Sequence, residues 1–377
     1  MRSGQYKKQP GGFEVFVPAT LRDLSISLEP FIPLLSEADR SLARLDAATE
    51  FLPNPELFVS MYIRKEAVLS AQIEGTQASM NDLIDHEAGA TLTKKRDEIQ
   101  EVANYIDGIN YGLENLDALP ICTRLIREMH ERVLRGARGE HRAPGELRKI
   151  QNWIGPEGCT KKDATYVPPP PGRLEELLSD LEQFINEDRR FPILIRAALV
   201  HQQFESIHPF LDGNGRVGRL LITLMLIGDG SLRQPTLYLS DYFKRHRQKY
   251  YRALEDIHRN DDLEGWIRFF LRGVREVAQD GDATARSIQK LREEHRQLIT
   301  KKLNNSPTAH ILLEALLEQP AVTVRQVQAL IDRSYTAANQ LVAQFEELGL
   351  LVEVTGQTRN RRYHYKPYLA LFGELQP

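Results

Sequence analysis

The stretch HPFLDGNGRVGR, residues 208–219, is the most informative part of this 377-residue chain. A helix is predicted directly before it, over 192–207, because apolar residues recur there at helical spacing. Pro209 disfavours the helical conformation of the residue before it, so this helix must end at His208. The stretch therefore places an imidazole at a helix exit, where it can face a cavity.

The second half of this stretch has the features of an anion-binding site. Gly213 and Gly215 stand where a very apolar helix, predicted over 215–228, begins, so bare N–H groups are left at its positively polarised end. Arg216 and Arg219 are three residues apart and project from the same side of the first helical turn. Guanidinium groups bind phosphate oxygens in bidentate fashion, so this arrangement suits a polyphosphate.

Asp212 directly precedes this glycine-rich turn. Mg²⁺ in proteins is usually held by one or two carboxylates together with phosphate oxygens, so a carboxylate here predicts a magnesium ligand. Each feature is common by itself: a histidine before proline is usually structural, and arginines three apart usually lie on a solvated helix face. Their occurrence within twelve contiguous residues favours a phosphate site.

The stretch matches the HPFx[D/E]GNGRxxR motif of the Fic family without departure, and nearly the whole chain resembles bacterial Fic proteins. The resemblance implies a mainly α fold: a Fic-type helical bundle with a β-hairpin flap and a carboxy-terminal winged helix. It also implies a protein adenylyltransferase, which transfers AMP from ATP to a hydroxyl side chain (Tyr, Ser or Thr) of a target protein and releases pyrophosphate. A branch of the family that transfers phosphate itself departs from this pattern at the second glycine, so that activity is disfavoured.

The resemblance also implies a role for each residue of the motif. His208 would be the general base that removes the hydroxyl proton. Asp212 would hold Mg²⁺ or Mn²⁺, between which the sequence does not decide, and Arg219 would bind the γ-phosphate of ATP. The α- and β-phosphates would lie in a cradle made by Gly213, Asn214, Gly215 and Arg216. Val217 and Gly218 would belong to the same ATP-binding stretch.

A second motif lies on another predicted helix, over residues 57–75. Ser70-Ala-Gln-Ile-Glu74-Gly75 fits the [S/T]xxxE[G/N] inhibitory motif of Fic proteins. Ser70 and Glu74 are four residues apart and share one helix face. The hypothesis is that Glu74 pairs with Arg219 and takes the place of the γ-phosphate. Two alternatives stay open: a solvated terminal glutamate, and a glutamate that removes AMP from modified targets.

A β-hairpin is predicted at about 147–167, from the short strand-like segments Lys149–Ile154 and Ala164–Val167 and a turn-rich stretch between them. Four prolines, Pro168–Pro171, end it. This hairpin resembles the family's flap, which lays a target segment beside the active site through main-chain hydrogen bonds. The alternative is an ordinary surface hairpin whose edge is blunted by prolines.

Tyrosines on the predicted helix over 240–259 are candidates for an adenine pocket. Tyr242, Tyr250 and Tyr251 all lie there, and by its distance from the motif Tyr250 is preferred as an ATP-binding residue. Tyrosines of an amphipathic helix more often belong to the core, and that alternative stays open for each of them.

The domain boundaries follow changes in composition and periodicity. An amino-terminal helical region over 1–96 carries the inhibitory helix and begins with a Gly- and Pro-rich segment, 1–35, that is predicted to be an extended arm. The catalytic core is predicted over 97–280, followed by a charged helical linker over 281–305. Helix, helix, turn, helix and β-hairpin then follow over 306–377, which is the order of a winged helix.

The winged-helix prediction raises a second function. Arg359, Arg361, Arg362 and Lys366 stand in the predicted wing without an acid among them, and such a patch can contact phosphate. The predicted recognition helix over 334–348 has no Lys or Arg in its first turns, so direct guanine recognition by arginine is missing. DNA binding and protein docking or homodimerisation therefore both stay open. One alternative function is a DNA-binding regulator that uses the Fic core as an ATP sensor.

The composition of the chain argues against several other classes of protein. Lys plus Arg number 49 and Asp plus Glu 52, so no global basic field exists to bind nucleic acid or an anionic membrane. The two cysteines, Cys122 and Cys159, form no disulfide framework and suit a reducing cytosol. The apolar run over 220–227 is far shorter than the roughly 20 residues of a membrane span, and no signal peptide is evident. The sequence predicts a cytoplasmic protein without a membrane partner, whose partners are target proteins and, by self-modification, the chain itself.

Overall fold

The computed structural model describes residues 1–50, 52, 55–87, 95–136, 140–357 and 360–372. Over these residues the chain is mainly helical and carries two small antiparallel sheets. The α-helices are α1 (Ile32–Glu50), α2 (Pro55–Ile73), α3 (Met80–Glu87), α4 (Arg96–Asn115), α5 (Thr123–Val133), α6 (Leu174–Glu187), α7 (Ile193–Ile207), α8 (Asn214–Gly228), α9 (Ser240–Arg245), α10 (Arg247–Asn260), α11 (Leu263–Lys302), α12 (Pro307–Glu318), α13 (Val324–Ile331), α14 (Tyr335–Glu347) and α15 (Lys366–Leu369). The strands are β1 (Gly4–Gln9), β2 (Phe13–Pro18), β3 (Ala321–Thr323), β4 (Val352–Glu353) and β5 (Arg362–His364). No helix in the described part of the chain is long and apolar enough to cross a membrane.

Helices α7 and α8 form the centre of the bundle, and the motif covers the short turn between them and the start of α8. Almost every side chain of both helices is buried, which is the pattern of core helices rather than of surface helices. The two helices approach closely at Gly218, where an added Cβ would lie 3.2 Å from Phe204 and 3.3 Å from His201. Glycine at this position therefore allows the start of α8 to pack against the end of α7, from which His208 emerges.

Helix α11 runs from the bundle to the carboxy-terminal module. The sequence predicts that the catalytic core ends at 280 and that a helical linker follows over 281–305, but a single helix of 40 residues spans this boundary. No proline interrupts it, and Gly281 lies so close to α1 that an added Cβ would be 2.8 Å from Leu45. Packing against α1 offsets the low helix propensity of this glycine. The predicted linker over 281–305 is therefore mostly the second half of a continuous helix.

The amino-terminal segment predicted to be an extended arm forms a β-hairpin. Strands β1 and β2 pair in antiparallel register along their whole length. The turn between them uses Gly11 and Gly12, whose φ values of 103° and 77° favour glycine. The prediction is wrong for this segment, because glycines that suggest a flexible arm also suit a tight turn. Phe16 donates its N–H to the carbonyl oxygen of Val167 at 2.9 Å, so the hairpin supports the flap.

The flap is less regular than the predicted two-stranded hairpin. Its segments run antiparallel but are joined by one bridge, between Ile154 and Tyr166, with N–H···O distances of 2.8 and 3.0 Å. A longer ladder cannot form, because the returning segment continues into Pro168–Pro171, which has no N–H groups to donate. Gln151 donates from its side chain to the carbonyl oxygen of Pro168 at 2.9 Å instead.

The residues after α11 form a small module of helices with the three-stranded sheet β3-β5-β4. This element order is the one that a winged helix requires, and the assignment to that class stays a prediction. The buried residues of the module belong to the same hydrophobic core as the bundle. Phe372 packs against Phe58 and Tyr62 of α2, with ring centroids 6.5 and 5.7 Å apart. The module therefore contacts the helix that leads to the predicted inhibitory motif.

Two residues of the predicted basic patch of the wing, Arg361 and Arg362, are engaged within the chain. Arg362 and His364 lie 3.4 and 3.0 Å from the carboxylate of Asp85 on α3. Arg361 donates to a side chain of α14 at 3.2 Å, and Arg359 lies outside the described residues. Arg362 would therefore have to leave α3 to bind DNA phosphate, and DNA binding and protein docking both stay predictions.

Candidate active site

The turn between α7 and α8 is closed by its own polar groups. Asn214 accepts at Oδ1 from the N–H of Phe210 and donates from Nδ2 to the carbonyl oxygen of the same residue, both at 2.9 Å. Gly213 has a φ of 75°, and its N–H donates to Asp212 Oδ1 at 2.6 Å. The side chain of Asn214 is thus occupied in shaping the turn, and only its backbone remains for the predicted phosphate contact.

His130 on α5, which was not predicted from the sequence, supports the same turn. Its ring stacks on Phe210 at a centroid distance of 3.7 Å and an interplanar angle of 7°. The N–H of Gly145 donates to Nδ1 at 2.9 Å, so Nε2 carries the proton and donates to the carbonyl oxygen of Asp212 at 3.0 Å. Burial lowers the pKa of His130 to about 4, so the ring is neutral at neutral pH. No local signal marks this residue, because only tertiary packing brings it to the turn.

His208 ends α7 in a left-handed conformation, with φ 47° and ψ 60°. Its Nδ1 lies 3.3 Å from the carbonyl oxygen of Glu205. Because a carbonyl oxygen can only accept, Nδ1 carries the proton in this contact and Nε2 is the basic nitrogen. Burial, and next the charge of Arg148, lower the pKa of His208 to about 4. The imidazole is therefore neutral at neutral pH and can accept a proton.

Arg216 is a buried guanidinium with unused donors. Its side chain is 6% exposed, and its Nε and Nη1 have no hydrogen-bond partner among the described residues. The nearest carboxylates are those of Asp212, 3.5 Å from Nη2, and Glu101, 3.9 Å from Nη1. Buried N–H donors are almost always paired in folded proteins, so this arginine is arranged to bind acceptors that a ligand supplies.

Arg219 is bound to the predicted inhibitory motif. Its Nε donates to Ser70 Oγ at 2.8 Å, and its Nη2 donates to Glu74 Oε1 at 2.7 Å and to the carbonyl oxygen of Ser70 at 3.1 Å. A Cβ at Gly215 would collide with Glu74 Oε1, so this carboxylate lies directly on the first turn of α8. The hypothesised pair of Glu74 and Arg219 is present, and it places a carboxylate among the donors expected to bind phosphate.

Glu66, which was not predicted from the sequence, fixes α2 one turn before the inhibitory motif. The side chain is buried and accepts at Oε1 from the hydroxyl of Tyr105 at 3.0 Å. Ser240 donates to the same carboxylate from its hydroxyl and from its N–H, the latter at 3.2 Å. Burial raises the pKa of Glu66. These bonds from α4 and α9 hold α2 in the position that brings Glu74 onto α8.

Asp212 fits the predicted magnesium role. Its side chain is 47% exposed, and one of its oxygens is engaged by Gly213 and Arg216. The described residues contain no group of three or more His, Cys, Asp or Glu side chains that could hold a metal by themselves. An ion at Asp212 would take its remaining ligands from nucleotide phosphates and water, which is the usual coordination of Mg²⁺.

Three residues of the predicted ATP-binding set face the protein interior. Val217 is fully buried, and Gly218 lies in the contact between α7 and α8. Tyr250 is 1% exposed, and its hydroxyl lies 2.9 Å from His201 Nε2, so its ring belongs to the core. Tyr251, the next residue, is 43% exposed and is the tyrosine of this helix that a base could stack on.

Glu205 is a further buried group beside the cradle, one turn before His208 on α7. Its Oε1 is enclosed, has no hydrogen-bond partner among the described residues, and lies 3.2 Å from where a Cβ of Gly218 would be. Burial is the main cause that raises the pKa of Glu205 to about 7; Arg219 opposes this shift and Glu74 adds to it. The carboxyl is therefore protonated in the folded protein over a pH range in which an exposed glutamate is ionised.

This protonation predicts a pH-dependent effect of Glu205→Gln on stability. Because the pKa of Glu205 is raised in the folded protein, this residue leaves the free energy of unfolding unchanged at a pH below its ordinary pKa. It lowers the free energy of unfolding as the pH rises through about 7. The Gln variant should match the unsubstituted protein at about pH 4 and melt at a higher temperature at about pH 8. Thermal melting across this range checks it, with exposed Glu175→Gln as control. Melting curves that differ equally at all pH values would contradict the assignment.

Fold and site together define a mainly helical protein in which a carboxylate that follows the end of one helix covers the predicted anion cradle at the start of another. A model described as Fic/DOC family N-terminal matches residues 32–114, and the Fic/DOC family model matches residues 120–226. These segments cover about half of the 377 residues. The chain belongs to the Fic/DOC family.

Curated relatives carry adenylyltransferase names. The protein adenylyltransferase Fic of Aedes aegypti is 35% identical over 150 residues, which are 38% of this chain and 26% of that protein. A probable protein adenylyltransferase of Aquifex aeolicus is 28% identical over 210 residues, 53% of this chain and 57% of that protein. The match thus spans about a quarter of the mosquito protein and little more than half of the bacterial one. The crystal structure of a Fic family protein from Desulfovibrio desulfuricans, 19% identical, superposes with a TM-score of 0.59 over 94% of this chain and 98% of that chain, which supports the fold.

Proposed function

We propose that this protein is a protein adenylyltransferase, which transfers AMP from ATP to a hydroxyl side chain of a target protein and releases pyrophosphate. The observation that carries the proposal is the buried Arg216, whose Nε and Nη1 have no hydrogen-bond partner in the described part of the chain. A buried donor left unpaired costs about 1–3 kcal/mol, so a ligand with several acceptor oxygens is expected there. The names of the similar proteins support AMP transfer as the reaction.

The residues at the cradle can supply what this transfer needs. Nε2 of His208 takes the proton of the attacking hydroxyl. The hydroxyl oxygen bonds to the α-phosphorus while the bond between the α-phosphorus and the β-phosphate oxygen breaks. Arg216 and the N–H groups at the start of α8 bind the phosphates and neutralise their charge, on which such transfers mainly depend. Mg²⁺ held by Asp212 would add to this neutralisation when bound.

The same proposal includes a restraint on the reaction by Glu74. An oxygen of its carboxylate lies on Gly215 and 2.7 Å from Arg219, so one anion already occupies part of the cradle. ATP can place its γ-phosphate on Arg219 only if Glu74 moves away. The enzyme therefore rests in a state that disfavours productive ATP binding. A role of Glu74 in removing AMP from modified targets is an alternative that no contact described above favours.

Target docking on the flap is supported by the exposure of its apolar residues. Ile150, Trp153 and Ile154 are 64%, 40% and 42% exposed, and they follow one another closely along the first flap segment. The backbone of this segment pairs with the rest of the flap only at Ile154, so a target strand can add to it. Such docking would present a target hydroxyl near His208 without demanding a particular target sequence.

The decisive experiment compares the position of the label in ATP. The Glu74→Gly protein is incubated with cell lysate, and separately alone, with ATP labelled at the α-phosphate or at the γ-phosphate. For the protein alone, and in lysate as the excess over lysate without it, label from the α-phosphate and none from the γ-phosphate should become bound to protein, since AMP is transferred and pyrophosphate leaves. Protein labelling from the γ-phosphate would indicate a kinase-type reaction instead, and labelling from neither would contradict nucleotide transfer.

A further inference from the structure

Arg148 stands at the base of the flap and is buried, with 3% exposure. Its Nε donates to the carbonyl oxygen of His208 at 2.8 Å, and its Nη2 donates to those of Pro169 at 2.6 Å and Ile207 at 3.3 Å. Its own N–H donates to the carbonyl oxygen of Pro209 at 3.0 Å. One residue thus binds three consecutive carbonyl groups around His208 and also the far end of the flap.

No carboxylate of the described residues forms an ion pair with Arg148. A guanidinium without a counter-charge is costly to bury, because dehydration is repaid only by hydrogen bonds to neutral carbonyl groups. Burial accordingly lowers the pKa of Arg148 to about 10, and the side chain is still charged at neutral pH. A neutral donor could join the same segments at a smaller cost in dehydration. The positive charge of Arg148 is therefore expected to have a function of its own.

We infer that Arg148 is a positioning residue of the transfer reaction: it fixes His208 relative to the flap, and its charge favours the neutral, proton-accepting imidazole. The inference rests on the proposed function, since it concerns how the base and the docked target are brought together. Both ends of the flap, at 148 and 169, meet at this one guanidinium, so a target held on the flap has a defined distance to His208. The left-handed backbone of His208, which is uncommon for residues other than glycine, is held by the same contact.

The charges around His208 agree with this assignment. Burial and then Arg148 lower the pKa of the imidazole, whereas the carbonyl group of Glu205 and the carboxylates of Glu74 and Asp212 raise it. These groups come from the flap base, from α7, from the end of α2 and from the motif turn. Arg148 is the cation among them, so removing its charge should raise the pKa of His208.

The test uses two variants of the full-length protein in the Glu74→Gly background. Arg148→Gln keeps a hydrogen-bond donor without the charge, and Arg148→Lys keeps the charge without the planar fork. The His208 imidazole is titrated by NMR without ATP, with its signal assigned by loss in a His208→Asn protein. The Gln variant should titrate about one pH unit higher than the parent and the Lys variant close to it. In the Gln variant, the acid limb of the pH profile of AMP incorporation should shift by the same amount. Its kcat should be about tenfold lower and its KM for ATP unchanged.

A matched control is Arg196→Gln. Arg196, like Arg148, is a buried arginine that donates to a backbone carbonyl oxygen, that of Asp188 at 2.8 Å, but it lies on α7 at the end opposite to His208. Its substitution should leave the titration of His208 unchanged. If Arg148→Gln folds and His208 titrates as in the parent, the inference is overturned. Should the Gln variant not fold, the Lys variant decides: loss of kcat at constant KM for ATP supports the positioning role, and parental kcat overturns it.

Failure of this inference can be told apart from failure of the proposed function. The NMR titration needs no transfer reaction, so a shifted imidazole in a protein that never incorporates AMP would contradict the proposed function and leave the electrostatic role of Arg148 standing. Incorporation of AMP with an unshifted imidazole and an unmoved acid limb would contradict only the role of Arg148.

Discussion

Glu74→Gly should raise the incorporation of AMP into protein by about 5- to 150-fold, the range that coupling energies of about 1–3 kcal/mol produce. In the resting structure, Arg219 donates to both Ser70 and Glu74, and the carboxylate of Glu74 lies against Gly215. Removing this carboxylate frees the guanidinium for the γ-phosphate and removes the like charge that repels it. The measurement is incorporation from ATP labelled at the α-phosphate, at ATP concentrations below and above saturation.

The control for this prediction is Glu87→Gly. Glu87 is the last residue of α3, and Glu74 directly follows the end of α2. Glu87 pairs with Arg64 at 2.8 Å, and its side chain is 36% exposed, against 38% for Glu74. The two substitutions therefore remove similar ion pairs at helix ends, but only Glu74 reaches the cradle. Equal incorporation by the Glu74→Gly, Glu87→Gly and unsubstituted proteins would contradict autoinhibition.

The central site was predictable because its parts are contiguous or belong to two recognisable motifs. Helix exit, glycine turn and arginine pair lie within 208–219, so their geometry follows from local rules about proline, glycine and helix periodicity. The pairing of Glu74 with Arg219 was accessible from the second motif, although 145 residues separate the two. For each of these residues, the chemistry of the side chain and the predicted local backbone indicate the same position in the site.

The supporting residues were not predictable, because their partners come from distant parts of the chain. His130, Glu66 and Arg148 hold the turn, the inhibitory helix and the base of the flap through tertiary contacts alone. Local sequence also does not decide which of two adjacent side chains on a helix faces the core. Tyr250 was preferred by its distance from the motif, but it is buried against His201, and Tyr251 is the partly exposed neighbour.

Errors in the fold have similar causes. The boundary at 280 was placed from changes in composition and periodicity, but α11 continues across it, and Gly281 packs closely against Leu45 of α1. At the amino terminus, Gly11 and Gly12 suggested an extended arm and instead form the turn of a hairpin. Glycine is ambiguous in a single sequence, since it marks flexibility, a turn or a close approach with equal ease.

In the Glu74→Gly background, His208→Ala should lower AMP transfer by about 10²- to 10⁴-fold, the usual contribution of a positioned base, while ATP binding is kept. The imidazole holds its proton on Nδ1 and has a lowered pKa, so its Nε2 is ready to accept the hydroxyl proton at neutral pH. The phosphate donors of Arg216 and α8 do not depend on this ring. Incorporation of labelled AMP measures the transfer, and the shift in melting temperature on adding ATP measures the binding.

The backbone of His208 requires a second variant. At a φ of 47°, alanine is less favourable than asparagine, so His208→Ala alone could disturb the turn as well as remove the base. His208→Asn tolerates this conformation and has no nitrogen that accepts a proton at neutral pH. Both variants should lose transfer and keep the ATP-induced shift, and transfer at the parental rate by either one would refute the assignment of His208 as the base. Loss of the ATP-induced shift in both would mean that the ring contributes to the nucleotide site itself, so the cradle and the base would have to be treated as one structural unit.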